Sequence, residues 1–424
     1  MTCCARPRLI HFVGCGLVSF MLGGSFVSAQ STASHAESCT DVCDLAASQC
    51  LAGDHETDSS WLKWSLPQLG GIHVTPVYYG EVFTNTRGGI TTKDSTQYLG
   101  LLDLGFEWDF DEHDAFLPGK FYLLAQNTHG QGITTDFVGD SQVVSNIDPF
   151  RNIMQVNILQ VSEYWWEFDL LDSAVTVRLG KQDINTEFLL INSAEDFIQS
   201  TFGLSPSTAY PTYPAPSMAA VALIQLNESW QLKTGLWDAF ASGSGWGFSG
   251  NDSVVAIGEL EYTYELADGT LPGVFAVGAV YESAGVIEGD SVSPVQEYIV
   301  QLEQLIYRES HGDDDAIQGL GVFAGYYPRF PGSQISLSSI GDSFVAGATY
   351  TGLIPSRDRD VLGTGLAWTE LFQGGTNEET VVEVFYKAQL TPCVRVQPDL
   401  QYVGTPSGIY RDALVAGFRF QVDF

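Results

Sequence analysis

The sequence predicts an all-β chain: a 16-stranded antiparallel transmembrane β-barrel with long extracellular loops, one of them folding into the lumen. Three observations predict it. Apolar and polar residues alternate with a period of two along many segments, the mark of strands with one greasy and one wet face. No stretch after residue 30 supplies the roughly 20 apolar residues a membrane helix needs. An export signal opens the chain. A chain that is exported yet lacks spanning helices can cross a bilayer only as a closed barrel, because open strand edges leave backbone groups unpaired in lipid.

The export signal is read from residues 1–29. Arg6 and Arg8 form a charged start, Phe12 to Leu22 a short apolar core, and Val27-Ser28-Ala29 a small-residue cleavage site. That core is too short to span a bilayer. Cys15 sits too early, and in too poor a context, for lipid anchoring. Cleavage takes away two arginines and no acid, so the net charge of −33 becomes −35. Such acidity excludes nucleic acid as a partner, since no basic face exists to displace counterions. With 44 glycines and 12% aromatic residues the chain has both turn-formers and apolar material, which excludes disorder.

Residues 30–64 form a short N-terminal segment on the periplasmic side, ahead of the barrel at 65–424. Cys39, Cys43 and Cys50 lie in it, and Cys393 lies far downstream. A C-x3-C-x6-C run beside His35 and His55 could be read as a metal site. It lacks paired C-x-x-C spacing, so a local disulfide in an oxidising compartment is the better expectation.

The strands follow in order: 72–85, 96–111, 118–129, 153–169, 173–181, 217–227, 230–239, 251–266, 272–283, 295–308, 316–327, 341–352, 359–371, 379–390, 394–403 and 411–424. The last is the clearest. Leu414, Ala416, Phe418, Phe420, Val422 and Phe424 share one face, opposite Arg411, Gly417, Arg419, Gln421 and Asp423. In 96–111, Asp103, Glu107 and Asp109 oppose Leu102, Leu104, Phe106 and Trp108. In 251–266, Glu259 and Glu261 oppose Leu260 and Tyr262; in 379–390, Glu383 and Lys387 oppose Val382, Val384 and Tyr386. A lipid-facing Lys or Arg at mid-bilayer costs about 2–4 kcal/mol, so the charged faces are lumenal and wet. Sixteen strands give a bore wide enough for water. The connections alternate long and short, with 130–152, 182–216 and 240–250 long, and 170–172, 227–229 and 391–393 brief. Long outside loops and short periplasmic turns give that rhythm. Phe424, ending the chain on an apolar face, resembles the assembly signal read by outer-membrane assembly machinery.

Several spaced segments resemble the carbohydrate-selective porins of the OprB type. They are YYGEVFTNTRGG (78–89), YLGLLDLGFEWDF (98–110), LLAQNTHG (123–130), VRLGKQDINTEFLLIN (177–192), STFG (200–203) and YPAPSMAAVALI (213–224). The resemblance runs from about Trp61 to Phe424 and is strongest in the first half. It implies a passive pore for monosaccharides and similar polar solutes, seated in outer-membrane lipid as a monomer or trimer. It implies no cofactor and no catalysis. The segment 193–199 (SAEDFIQ) is more acidic than the resemblance leads one to expect.

Selectivity is expected on the loop 182–216, whose start carries Asp183 and Glu187. Four prolines (Pro206, Pro211, Pro214, Pro216) hold its later half extended. Parity turns Arg178 and Glu81 inward, and family matching adds Lys181, which simple parity points outward unless the strand is irregular near Gly180. Trp165 shares parity with Glu163 and Glu167, and Trp237 with Gln231 and Lys233, so both face inward where a ring could meet a sugar. Trp166 and Trp230 fall on the lipid side as girdle residues. Gln126, Asn127 and His129 are further polar positions matching the family. No nucleophile–base pair, phosphate-cradling loop or zinc signature appears. Two other readings stay open: a general or cation-preferring pore, favoured by the acidity, and a secreted glycan-binding β-protein.

Overall fold

A computed structural model describes residues 72–110, 117–149, 157–206, 210–239, 254–283, 285–287, 290–292, 294–309, 318–329, 340–372 and 378–424. The expected leader 1–29, the segment 30–64 and its three cysteines lie outside the described residues. Cys393 is disulfide-bonded, and its partner lies outside them too.

The strands are β1 (Ile72–Gly89), β2 (Gln97–Asp109), β3 (Lys120–Gly130), β4 (Ile158–Leu170), β5 (Val175–Gln182), β6 (Ser217–Asn227), β7 (Trp230–Asp238), β8 (Val254–Leu266) and β9 (Leu271–Glu282). A small hairpin, β10 (Gly285–Ile287) with β11 (Asp290–Val292), follows. The chain continues as β12 (Val295–Arg308), β13 (Gly319–Tyr327), β14 (Ile340–Thr351), β15 (Val361–Leu371), β16 (Glu378–Thr391), β17 (Val394–Gly404) and β18 (Arg411–Asp423). All but the hairpin close into one antiparallel barrel of sixteen strands: β9 pairs with β12, and β1 seals the sheet against β18. No helix among the described residues is long and apolar enough to span a membrane.

Alternation sets the two faces. On the outside, Leu102, Leu104 and Phe106 run down to Trp108, which meets Phe110 edge-on at 5.0 Å. Trp166 with Phe168, and Trp230 with Tyr262, continue this girdle at ring separations of 4.3 Å and 4.6 Å. At the opposite end Tyr98, Tyr281, Tyr298, Tyr326 and Tyr402 are exposed, as a second aromatic belt requires. Asn127 and His129 fall on this outer side too: the Tyr78 hydroxyl contacts His129 Nε2 at 3.1 Å and the Tyr98 hydroxyl, while Asn127 Oδ1 lies 3.2 Å from His129 Nδ1.

The inside departs from a plain water-filled tube. Among the described residues two long connections fold into the barrel: the one expected from sequence and a second. The 183–216 connection brings Phe188, Leu189, Ile191, Phe197, Ile198 and Phe202 against wall residues Trp237, Phe323, Val345, Val381 and Phe385. Phe197 stands 4.3 Å from Phe202 and 4.9 Å from Phe385, ring to ring. Gly365 on β15 makes room for them, since a Cβ there would lie 2.6 Å from the Phe202 ring. The connection between β3 and β4 enters as well, with Ile133, Val138 and Val144 in the same cluster as Phe83. These apolar side chains explain the inward course: left outside, they would be bare in water.

Candidate pore constriction

Wall carboxylates hold the infolded segments by their main chains. On β12, Glu303 accepts Asn192 N–H at 2.9 Å and Ser193 N–H at 2.7 Å, and also the Ser193 hydroxyl at 2.7 Å. On β16, Glu383 accepts Ile198 N–H at 2.7 Å and Gln199 N–H at 3.0 Å. Glu259 on β8 accepts Leu189 N–H at 2.7 Å, and Glu163 on β4 accepts Asp183 N–H at 3.2 Å. At the outer end of β16, Glu379 gathers Ser141 N–H at 2.9 Å, Gln142 N–H at 3.0 Å and Ser407 N–H at 2.6 Å. Irregular backbone inside a barrel must find such partners, and charged acceptors give the stronger bonds.

Wall cations complete the arrangement. The Arg178 guanidinium on β5 donates to Glu167 at 2.6 Å and to the loop's Glu187 at 2.8 Å, and lies 4.3 Å above the Trp165 ring. On β7, Lys233 meets Glu261 at 2.7 Å and the Glu187 carbonyl at 3.3 Å. Lys387 on β16 meets loop residue Asp196 at 2.5 Å, whose carbonyl also receives Gln397 Nε2 at 2.7 Å. Arg419 on β18 donates to Glu81 at 2.6 Å and to Asn146 of the β3–β4 connection at 2.6 Å, while the Ser145 hydroxyl donates to the other oxygen of Glu81. Each of these four cations is matched by a carboxylate. The arrangement offers polar contacts around its loops, and the carboxylates that hold loop N–H groups add an acidic surplus to these pairs.

Asp140, in the β3–β4 connection, is buried beside Thr134 and Glu379. Burial first, then the charge of Glu379, pushes its pKa well above the usual carboxylate range.

The residues singled out from sequence divide by position. Glu81, Arg178 and Glu187 join the ion pairs just described. Asp183 is used by the loop itself, accepting Asn185 N–H at 2.8 Å and Tyr213 N–H at 3.0 Å. Gln126 donates to Asp103 at 2.8 Å. Lys181 is fully buried and donates to the Val161 carbonyl at 3.1 Å; it pairs with Tyr164 and Met218 in unbroken register, and Gly180 before it has a φ of +143°. Trp165 and Trp237 point inward as parity predicts, but protein covers their faces. Trp165 stacks on Tyr122 at 4.9 Å under Arg178, and Trp237 meets Phe188 edge-on at 5.5 Å while its Nε1 donates to the Gln182 carbonyl at 3.1 Å. Sequence reasoning missed the pairing of Lys387 with Asp196 and of Arg419 with Glu81. Parity placed three of those four on lumenal faces; only closure of β1 on β18 and the infolded loop show that they meet, and Asp196 lies in the acidic 193–199 segment.

Comparison with known proteins fits this geometry. The chain is 22% identical to Porin B of Pseudomonas aeruginosa over 426 residues, covering 85% of this chain and 91% of that one. It is 22% identical to a putative porin, QuiX, of Acinetobacter baylyi, covering 90% and 97%. Among solved structures it superposes on the high-pH form of Pseudomonas putida OprB with a TM-score of 0.72, at 21% identity, over 84% of this chain and 94% of that one. The low-pH form of the same protein gives 0.55 at 18% identity, over 85% and 98%. Residues 93–424 match the family of carbohydrate-selective porins called OprB, and with most of its length inside that match the chain belongs to this family.

Proposed function

We propose that the chain is an outer-membrane porin that lets carbohydrates, monosaccharides and similar small polar solutes, diffuse passively along the lumen past its infolded loops. One observation carries the reading: four inward cations, Arg178, Lys233, Lys387 and Arg419, are each balanced by a carboxylate where loops meet wall. A neutral polyol gains hydrogen-bond partners there without an ion having to be stripped of water. Glu81, Arg178 and Glu187 border the path. Gln126, Lys181, Asp183, Trp165 and Trp237 support that border from behind. The chain acts as a conduit and not as a catalyst. Residues 1–29 are its export leader, 30–64 a periplasmic segment, and Phe424 the residue offered to the assembly machinery; the barrel sits in outer-membrane lipid as a monomer or trimer.

The test is swelling of liposomes carrying the protein. Monosaccharides should enter well above the rate of protein-free vesicles, with entry falling as the sugar grows. A general or cation-preferring pore is the second reading, favoured by the net charge of −33. It predicts rates that follow charge rather than sugar identity.

A further inference from the structure

Resting on the reading that solutes pass beside the infolded loops, we propose that Glu303 and Glu383 are positioning residues that set the pore's size limit, by stapling the 183–216 segment to the wall through its main-chain N–H groups. The two carboxylates stand on different strands, β12 and β16, and use the same device. Each takes two successive N–H groups, from Asn192 and Ser193 in one case and Ile198 and Gln199 in the other. Both glutamates are buried, at 8% and 0% exposure, with their oxygens on the loop N–H groups and, for Glu383, also against the Asp399 carboxyl of β17. The staples bracket Asp196, which Lys387 and Gln397 hold from β16 and β17. The stretch between them therefore has its backbone fixed at both ends and one of its two acids, Asp196, fixed in the middle. Between the staples the loop also seats Phe197 against Phe323 at 5.5 Å and Phe385 at 4.9 Å. Main-chain attachment fixes the course of a loop whatever its side chains do, and a bore narrowed by that loop inherits its width from the attachment points.

The distinction from a solute-binding role is measurable. A carboxylate that lines the path alters the rate for every solute and the preference for cations. A staple alters which sizes pass. The experiment compares swelling of liposomes by a hexose and by a trisaccharide, for the folded full-length chain and for Glu303→Gln, Glu303→Leu and Gln199→Pro. Gln199 has a φ of −63°, which proline adopts without strain, so Gln199→Pro deletes one stapled N–H while leaving Glu383 in place. Gln199→Ala is its reference, because the glutamine side chain also bonds Thr201 N–H and the Gln142 carbonyl. Folding is checked by the heat-dependent shift in gel mobility. Loss of one charged acceptor frees the loop for a larger share of the time, so the trisaccharide-to-hexose ratio should rise roughly threefold or more in Glu303→Leu, and less in Glu303→Gln. Gln199→Pro should raise it relative to Gln199→Ala. An unchanged ratio in the folded variants overturns the staple while leaving the channel reading intact. A parent protein that passes no hexose overturns both.

Discussion

Arg178 shows how closely charge and packing are joined in this lumen. Its guanidinium is sandwiched between the Trp165 ring and two carboxylates, Glu167 and Glu187, with almost no exposure. Removing one member of a buried, hydrogen-bonded pair leaves the others charged and unmatched, at a cost of about 3–5 kcal/mol. Arg178→Met should therefore lower resistance to urea in lipid by about that amount, and move the reversal potential toward cation preference. A stability within about 0.5 kcal/mol of the parent would place this pair among ordinary exposed ones. The sequence made half of this legible. Period two turned Arg178 and Glu81 inward, and did the same for Arg419 and Lys387. Which acid each cation meets was not legible, because Glu81 and Arg419 stand 338 positions apart and only closure of the barrel brings them together.

Among the elements, strands and loops differ in how far they could be foreseen. β6 and β12 run over 217–227 and 295–308, the bounds that alternation sets, since a half-wet, half-greasy sheet fixes every second side chain. The β3–β4 connection has no such period, so its entry into the lumen left no trace in the sequence; the β10–β11 hairpin was likewise invisible. What fixes that connection is Glu379, which accepts Ser141 and Gln142 N–H, beside the buried carboxyl of Asp140. A carboxyl whose pKa is raised by folding supports the folded form fully below the ordinary carboxylate range. That support is lost as pH climbs through the raised value. Amide exchange over 131–149, corrected for its intrinsic pH dependence, should thus quicken as pH rises, and Asp140→Asn should flatten the trend. Equal pH dependence in both proteins would remove Asp140 from the control of this loop.

For the whole molecule, the net charge of −33 reaches into the barrel wall, while Arg178, Lys233, Lys387 and Arg419 are each paired with an acid beside the infolded loops. At the short-turn end, Cys393 between β16 and β17 is disulfide-bonded, and every other cysteine of the sequence precedes residue 72. Peptide mapping without reductant should find Cys393 joined to a cysteine of the N-terminal region; a free thiol there would refute the tie. Phe424, exposed on the outer face with its N–H on the Pro76 carbonyl, completes the seam of β18 with β1. In this pore neutral sugars share the path taken by ions. Ion current through single channels in a planar bilayer, recorded as a monosaccharide is added, reads this sharing out. The current should fall in graded fashion with sugar concentration, beyond the effect of viscosity, at a modest preference for cations. A strongly cation-selective current that sugar leaves untouched would contradict it.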